Sequence, residues 1–332
     1  MANFNTSSKV YVKSNNSVSK INKKYLYTLL AFILYLIIYN IITKDFTDII
    51  NIAKTLIITI ISGLIVEYLS SLIKKNKSSL DLINTISIAL IIALFSYKLS
   101  LLISIISTLI SIAIKKIFPK INLSSSLYGI LFIILYLNFT NNLTTPLTRL
   151  HDLHYLGTYD ELVKANGSLV SYLYGAFYLS PILSLIIFFY LFHKKSIKYE
   201  LVISYILTFT FIMLVFGLIK NMNIYYAFFQ ITTGNLLFLS IYGLSDSSIT
   251  PTIGRGQIIY GIILGTITAI LRFIIPELSV IIALIIGPII LTKPIDKIST
   301  KLKYNDKYWT TTIYLCLFLV IITIAISYLL IK

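Results

Sequence analysis

The sequence predicts an all-α, polytopic membrane protein with about eleven transmembrane helices, and three observations lead to this class. Hydrophobic residues fill 57% of the 332 positions and charged residues only 12%, against about 45–50% and about 25% in soluble domains. The mean hydropathy is +0.89. The apolar residues stand in continuous runs near the roughly 20 residues that a transmembrane helix requires, and they do not alternate as barrel strands do.

Eleven apolar runs define the expected spans, and polar or basic residues separate them. The first run begins at residue 25, and because no small-residue cleavage site follows it, we expect a retained helix rather than a removed signal peptide. The runs at 125–139 and 278–292 are short, which is typical of tilted helices or of helices partly buried in protein. The expected spans are residues 25–43, 50–73, 81–97, 99–117, 125–139, 168–192, 199–219, 223–243, 257–275, 278–292 and 309–331.

The basic residues between the spans predict the orientation. With the N-terminus inside, twenty of the 28 basic residues fall on the inner side and six on the outer side, which is the asymmetry of the positive-inside rule. The chain then runs from an inner N-terminus to an outer C-terminus (N-in/C-out) in the plasma membrane. Because these loops explain the net charge of +16, no nucleic-acid surface is expected.

The order of the spans indicates the domain organisation. Five spans precede residues 140–167 and five follow, with one helix left over at the C-terminus. An odd number of spans in each half allows a 5+5 inverted repeat, whose site would lie at the interface between the halves. We therefore expect a cytoplasmic basic segment (1–24), a transmembrane domain (25–303) and an additional C-terminal helix (304–332).

The connection at residues 140–167 is the longest polar segment after the N-terminus, and the charge count places it outside. Loops of this length are usually functional or disordered. Thr145 precedes Pro146, so its hydroxyl stands on backbone biased toward extended geometry, and Arg149 follows four residues later. A hydroxyl near a cation can hold a phosphate group. The alternative is an ordinary threonine-rich turn.

Two histidines of the same loop, His151 and His154, are three residues apart and would share one face of a helix. Because the sequence offers no third or fourth ligand near them, we do not expect a metal site. The single cysteine, Cys316, lies in an apolar run and forms neither a disulfide nor a metal cluster by itself.

Three acidic residues stand in or beside the expected spans. Glu67 lies inside the second span, where an acid is costly and marks a functional site; the alternative is a side chain that reaches toward the lysines at 74–77. Asp81 opens the third span as a functional, interfacial or capping residue. Asp246 belongs to the inner segment 234–257, GNLLFLSIYGLSDSSITPTIGRGQ, whose Gly, Pro and hydroxyl residues fit either a structured re-entrant turn or a plain loop.

These motifs resemble the membrane D subunit of the Rnf ferredoxin-linked electron-transport complex and the related B subunit of the sodium-pumping NADH:quinone oxidoreductase. The similarity is strongest at 234–297, where that family has Gly-Gly, an apolar stretch, Ala-Thr-Asp-Pro, a Pro-Thr turn, Gly-Arg and Tyr-Gly-x-x-x-Gly. It extends more weakly over about residues 20–300, with Glu67 and Asp81 at family acidic positions. The matching residues are Asp246, Pro251, Gly256, Tyr260, Gly261, Gly265, Arg272, Pro294 and Asp296.

The resemblance implies that FMN is attached through a phosphodiester to Thr145, which aligns with the threonine of the family's Ser/Thr-x-Ala-Thr-Pro-Leu motif. Thr144 stands in place of the alanine, and the residues before it, Asn142 and Leu143, also differ from the motif. Thr144, Arg149 and Asp246 are the other expected cofactor-binding residues. Glu67 and Asp81 are the expected ion-path residues.

The function that the resemblance implies is that of a membrane subunit in a sodium- or proton-translocating electron-transport complex. Electrons would pass through FMN, and the spans leave room for a second flavin. Other membrane and peripheral subunits and a flavin transferase are the expected partners, besides the lipid bilayer. The alternative is a flavin-free transporter or scaffold subunit with the same fold, which the altered residues before Thr145 favour.

Overall fold

The computed structural model describes residues 18–73, 81–117, 125–140, 180–221, 224–232, 235–244, 250–275, 278–304 and 306–330. Over these ranges all regular elements are α-helices. They are α1 (Val18–Thr43), α2 (Phe46–Ile73), α3 (Leu82–Ser96), α4 (Leu101–Ile117), α5 (Ser125–Phe139), α6 (Pro181–His193), α7 (Tyr199–Ile219), α8 (Tyr225–Thr232), α9 (Leu236–Leu244), α10 (Gly254–Ile274), α11 (Ser279–Ile290), α12 (Thr292–Tyr304) and α13 (Asp306–Leu330).

The all-helical, multi-pass class is confirmed, and each expected span contains helix. Among the described residues, four helices are long and apolar enough to cross a membrane unaided: α1, α2, α7 and α10. The number is six if two bent helix pairs, α8 with α9 and α11 with α12, each form one span. The remaining apolar helices are shorter. The expected sixth span begins at residue 168, and its first twelve residues lie outside the described ranges.

The chain bends at two places where the sequence interrupts regular helix geometry, one inside the eighth expected span and one at the end of the tenth. In the eighth, α8 and α9 meet at 47°, and Asn235 ahead of α9 has a left-handed φ of 55°, which asparagine tolerates better than most residues. At the end of the tenth, which α11 fills, α12 turns by 55° from α11. Pro294 has no N–H to donate to the carbonyl of Ile290, so the α11 hydrogen-bond pattern cannot continue unchanged and a new helix begins.

Helices α7 and α10 approach each other closely along two glycines. A Cβ atom on Gly261 would lie 2.7 Å from the carbonyl oxygen of Leu201, and one on Gly265 would lie 2.9 Å from that of Tyr205. Glycines four residues apart let two membrane helices pack backbone against backbone. Elsewhere α2 packs against α3 and α4, and α4 packs against α5.

Aromatic side chains join the first helices to the broken eighth span. The ring of Phe238 on α9 lies 5.2 Å from that of Phe32 on α1 and 5.9 Å from that of Phe95 on α3. The Tyr242 hydroxyl donates to Thr28 Oγ1 on α1 at 2.7 Å. Edge-to-face aromatic pairs of this kind add stability beyond the area that they bury, so α9 is held firmly against α1.

The polar contacts show which helix ends lie together at each of the two ends of the bundle. Lys24, near the start of α1, donates to the Lys194 carbonyl at 3.2 Å and to Ser196 Oγ at 2.9 Å, between α6 and α7. We call this end of the bundle the lysine-rich end. Its described basic residues are Lys20, Lys23, Lys24, Lys115, Lys116, Lys194, Lys195, Lys198, Arg255, Lys293 and Lys297.

The opposite end carries fewer basic residues in the described part of the chain, namely Lys44, Lys98, Lys220 and the buried Arg272, with Lys54 two turns into α2. Lys98 pairs there with Asp48, 3.1 Å away. Because α5 starts at the lysine-rich end and α6 finishes at it, Thr140 after α5 and Ser180 before α6 both lie at the opposite end. The described residues that flank the segment 141–179 therefore lie away from the lysine-rich end.

Candidate functional site

The structure describes two of the six predicted site residues. Thr144, Thr145, Arg149 and Asp246 lie outside the described residues, as do the loop histidines. Glu67 lies near the end of α2 and Asp81 immediately before α3, and the structure brings these two acids together at the lysine-rich end.

Glu67 is a buried carboxylate with three donors around it. Its side chain is 2% exposed, and Oε1 accepts from Lys116 Nζ at 2.7 Å and from the Asp81 N–H at 3.2 Å. Thr85 on α3 lies within hydrogen-bonding range of the same carboxylate. Charge-assisted hydrogen bonds of this length are roughly twice as strong as neutral ones. The pair therefore ties α2, α3 and α4 together at one point.

Asp81 acts mainly through its backbone. It occupies the N-cap position of α3, where its side chain makes no capping hydrogen bond, while its carbonyl accepts from Thr85 N–H at 3.0 Å. Its carboxylate lies 3.7 Å from Lys115 Nζ, and both side chains are well exposed. We call Glu67, Asp81, Lys115 and Lys116 the acid–lysine cluster.

The two lysines are the members of this cluster that sequence reasoning did not find, and Lys116 is the one that pairs with the buried acid. It lies 49 residues after Glu67, among basic residues that the charge pattern explained by orientation alone. Only the packing of α4 against α2 reveals the pair, so no local sequence signal would have identified it.

Buried hydroxyl groups follow α2 and α4 away from the acid–lysine cluster. Across the interface, Ser62 Oγ and Thr108 Oγ1 are 2.8 Å apart. Most of these hydroxyls donate to a carbonyl of their own helix, as Thr59 does to Thr55 at 2.8 Å, so their oxygens remain acceptors. This hydroxyl seam consists of Thr55, Thr59 and the half-buried Ser62 on α2, and of Ser104, Thr108, Ser107 and Ser111 on α4, the last two beside Gly129 of α5. Carboxylate and hydroxyl oxygens are hard ligands suited to hard cations or to proton transfer.

The turn that precedes α10 is fastened by α7 and α12. Lys198 Nζ donates to the carbonyl of Thr250 at 3.2 Å, to its hydroxyl at 2.5 Å and to the carbonyl of Pro251 at 3.2 Å. Asp296 Oδ1 accepts from the Thr252 N–H at 3.1 Å. Arg255, one residue into α10, lies over the ring of Trp309 on α13, 5.4 Å from its centroid.

Within the segment 234–257, the described residues 250–257 form a structured turn that side chains of other elements hold in place, while residues 245–249, with Asp246, lie outside the described residues. Gln257 Nε2 donates to the Pro251 carbonyl at 3.1 Å from inside α10. A Cβ on Gly256 would come within 2.7 Å of the Ser299 Cβ on α12, so the glycine permits that close contact. The structure therefore explains why glycine stands at position 256.

A second polar group that sequence reasoning left unassigned is Arg272, in the last turn of α10. It is 3% exposed, donates to the Gln230 carbonyl at 3.2 Å, and lies over the Phe209 ring at 5.7 Å. Gln230 belongs to α8, just before the break in the eighth span. Arg272 thus satisfies a carbonyl near the end of α8, which is what a broken helix within a membrane requires.

A comparison with models of known protein families shows to which family the chain belongs. The model of the NQR2, RnfD, RnfE family matches residues 5–298. The chain belongs to this family. No match is found among curated proteins. The match runs from before α1 to the middle of α12 and covers every element described above except the end of α12 and α13.

Membership of the NQR2, RnfD, RnfE family carries two conclusions. The chain is a multi-pass protein of the plasma membrane, and its family is that of membrane subunits of Rnf and Nqr complexes. The fold gives physical reasons for several residues that carried the resemblance: Gly261 and Gly265 admit the α7 backbone, Gly256 admits Ser299, and Asp296 holds the α10 turn.

Proposed function

We propose that this chain is a D-type membrane subunit of an Rnf-type complex, which passes electrons through FMN and couples that passage to sodium or proton movement. One observation carries the proposal beyond family membership. Thr140 and Ser180, which bound the segment containing Thr145, lie at the end of the bundle opposite the lysine-rich end. If the lysine-rich end is cytoplasmic, as the positive-inside rule requires, these flanking residues support an outer location for Thr145.

In this proposal Thr145 holds FMN through its phosphate, with Thr144 and Arg149 beside it and Asp246 in the inner turn. The guanidinium of Arg149 neutralises phosphate charge through charge-assisted hydrogen bonds. FMN supplies the electron-transfer chemistry when bound, while the protein supplies position and electrostatics. A second flavin among the spans and a flavin transferase as partner belong to the same proposal.

The helix packing supports the eleven-span, N-in/C-out arrangement with a 5+5 inverted repeat. In the first half, the second span contacts the third and the fourth, and the fourth contacts the fifth. In the second half, α7 contacts α8 and α10, and α10 contacts α11, which is the same order of neighbours. Because each half contains five spans, the second half would be inverted relative to the first.

We place the inner mouth of the ion path at Glu67 and Asp81. Glu67 is a carboxylate that is 2% exposed within a candidate membrane span, and such residues mark ion pathways. The hydroxyl seam runs along α2 and α4, whose interface it crosses at Ser62 and Thr108, and supplies further oxygen atoms. In this arrangement the ammonium group of Lys116 stays paired with the Glu67 carboxylate until an entering cation or proton takes its place.

The test of the flavin assignment is to co-express the chain with a flavin transferase and to measure covalent flavin on a denaturing gel by fluorescence and by intact mass. We expect fluorescence and the mass of one FMN phosphodiester in the wild type and in Thr144→Ala. Thr145→Ala is expected to lose both signals. If the wild type carries no covalent flavin, the attachment at Thr145 is wrong.

The flavin-free transporter or scaffold remains the second candidate, because Asn142, Leu143 and Thr144 depart from the attachment motif. Flavin content after purification under native conditions separates the two candidates. A wild-type complex that contains neither covalent nor bound flavin would favour the flavin-free role, whereas bound flavin without a covalent link would retain electron transport and remove only the attachment.

A further inference from the structure

We infer that α12 is an interfacial helix whose lysine face binds the head groups of anionic phospholipids at the lysine-rich end. This inference rests on the membrane location of the chain and not on the proposed electron transport. The sequence pattern placed residues 293–308 in a connection between two spans, and the structure instead forms a helix there, Thr292–Tyr304.

The position of α12 is that of a helix lying across the end of the bundle. It departs by 55° from the axis of α11, and α13 begins two residues after it ends. Both of those neighbours are apolar helices, so α12 is confined to the level at which two membrane helices meet. A short amphipathic helix with lysines on its polar face is typical of the boundary between head groups and acyl chains.

The inner face of α12 is fixed to the protein. Ile295 is 4% exposed and Ser299 is fully buried, and Ser299 packs against Gly256 at the start of α10. Asp296 accepts from the Thr252 N–H at 3.1 Å. The helix cannot rotate about its axis without losing these contacts, so its other face always points away from the bundle.

The exposed surface of α12 combines positive charge with an apolar side chain. Lys293, Lys297 and Thr300 share one exposed face, and Ile298, about 100° further round the helix from Lys297, is 48% exposed beside it. The sequence of α12 contains four lysines and a single acid. An acidic protein surface would match the ammonium groups but would leave Ile298 in water. A lipid leaflet accommodates both, because head-group phosphates meet the lysines and acyl chains meet the isoleucine.

Basic residues of other helices extend this face. Lys194 and Lys195 are exposed at the α6–α7 connection of the same end. Each lysine near an anionic leaflet adds attraction that falls off within a Debye length, so the face on α12 lies inside a wider positive field. Zwitterionic lipids lack the net charge that would complement this field.

Trp309 provides a built-in probe, since it is the only tryptophan of the chain and stands five residues after the end of α12. The full-length protein is reconstituted in nanodiscs that contain either brominated phosphatidylglycerol or brominated phosphatidylcholine, and quenching of Trp309 fluorescence is compared. The quenching ratio is the quenching by brominated phosphatidylglycerol divided by that by brominated phosphatidylcholine. We expect a ratio above one at low salt. At about 1 M salt the Debye length is about 3 Å, so the attraction is screened and the ratio is expected to fall close to one.

The decisive variant is Lys293→Gln/Lys297→Gln, which removes two exposed charges and no contact to the bundle. Its quenching ratio at low salt is expected to fall close to one. The matched control, Lys44→Gln/Lys54→Gln, removes two exposed lysines away from this end and is expected to keep the wild-type ratio. Equal quenching by both lipids in the wild type, or an unchanged ratio in Lys293→Gln/Lys297→Gln, would overturn the inference and point to an acidic protein partner instead.

Discussion

Glu67 shows at the scale of single residues how the fold accommodates charge in a membrane. Removing a carboxylate from water is costly unless it is paired and hydrogen-bonded. Lys116 supplies the pairing charge from α4 and the Asp81 N–H supplies a second bond. Lys116 keeps part of its stem toward solvent, with 21% of its side chain exposed, so only the acid is deeply buried.

This geometry predicts different stabilities for two adjacent lysine substitutions. Lys116→Met leaves Glu67 buried without its cation, and such a loss costs about 3–5 kcal/mol in unfolding free energy. Lys115→Met removes only an exposed pair with Asp81, worth about 0–1 kcal/mol. Unfolding of the detergent-solubilised protein by denaturant measures both.

The double variant Glu67→Gln/Lys116→Met is the internal check, because it removes both charges together. We expect it to recover most of the stability that Lys116→Met loses, since replacing a whole buried pair is often neutral. Equal stability of the Lys115→Met and Lys116→Met single variants would contradict the buried-pair description.

At the scale of helices, the contact of α7 with α10 depends on glycine. The nearest atoms to a Cβ on Gly261 or Gly265 include backbone oxygens of Leu201 and Tyr205, and a backbone cannot move aside as a side-chain tip can. Without a hydrophobic driving force between helices in lipid, close packing of this kind supplies much of the association energy.

We therefore expect Gly265→Ala to destabilise the protein by about 1–3 kcal/mol, the usual cost of overpacking, despite the higher helix propensity of alanine. Gly63→Ala in α2 is the matched control. A Cβ there would meet only side-chain atoms, the nearest being Ile112 Cδ1 at 3.3 Å, and thermal unfolding should change little. Similar melting temperatures for both variants would contradict backbone-to-backbone packing.

For the whole molecule, the distribution of charge between the two ends predicts how the chain sits in the membrane. The lysine-rich end unites the starts of α1, α7 and α10 with the ends of α4 and α6. If positive charge is kept inside, this entire end faces the cytoplasm.

Cysteine accessibility tests that orientation, because Cys316 is the single native cysteine and can be replaced by serine. In that background, a membrane-impermeant maleimide is expected to label Lys44→Cys in intact cells and Lys194→Cys only after permeabilisation. Both positions are exposed in the structure, so burial does not account for a difference. The reverse pattern would place the lysine-rich end outside and Thr145 inside, and would remove the proposed electron route.

The sequence determined the membrane class, the approximate place of each helix, the sorting of positive charge and the family. These properties follow from composition and from short motifs, and both depend only on residues that are close together along the chain. The placement of Thr145 outside and its flavin stay predictions that rest on this level.

Only the tertiary structure decided which distant groups meet. It paired Glu67 with Lys116, fastened the α10 turn with Lys198 and Asp296, and broke the eighth apolar run, which looked continuous. The physical reason is that hydropathy fixes whether a segment enters the bilayer but not which face meets which neighbour. That choice depends on close packing at glycines and on satisfying buried polar groups, and both are properties of several helices at once.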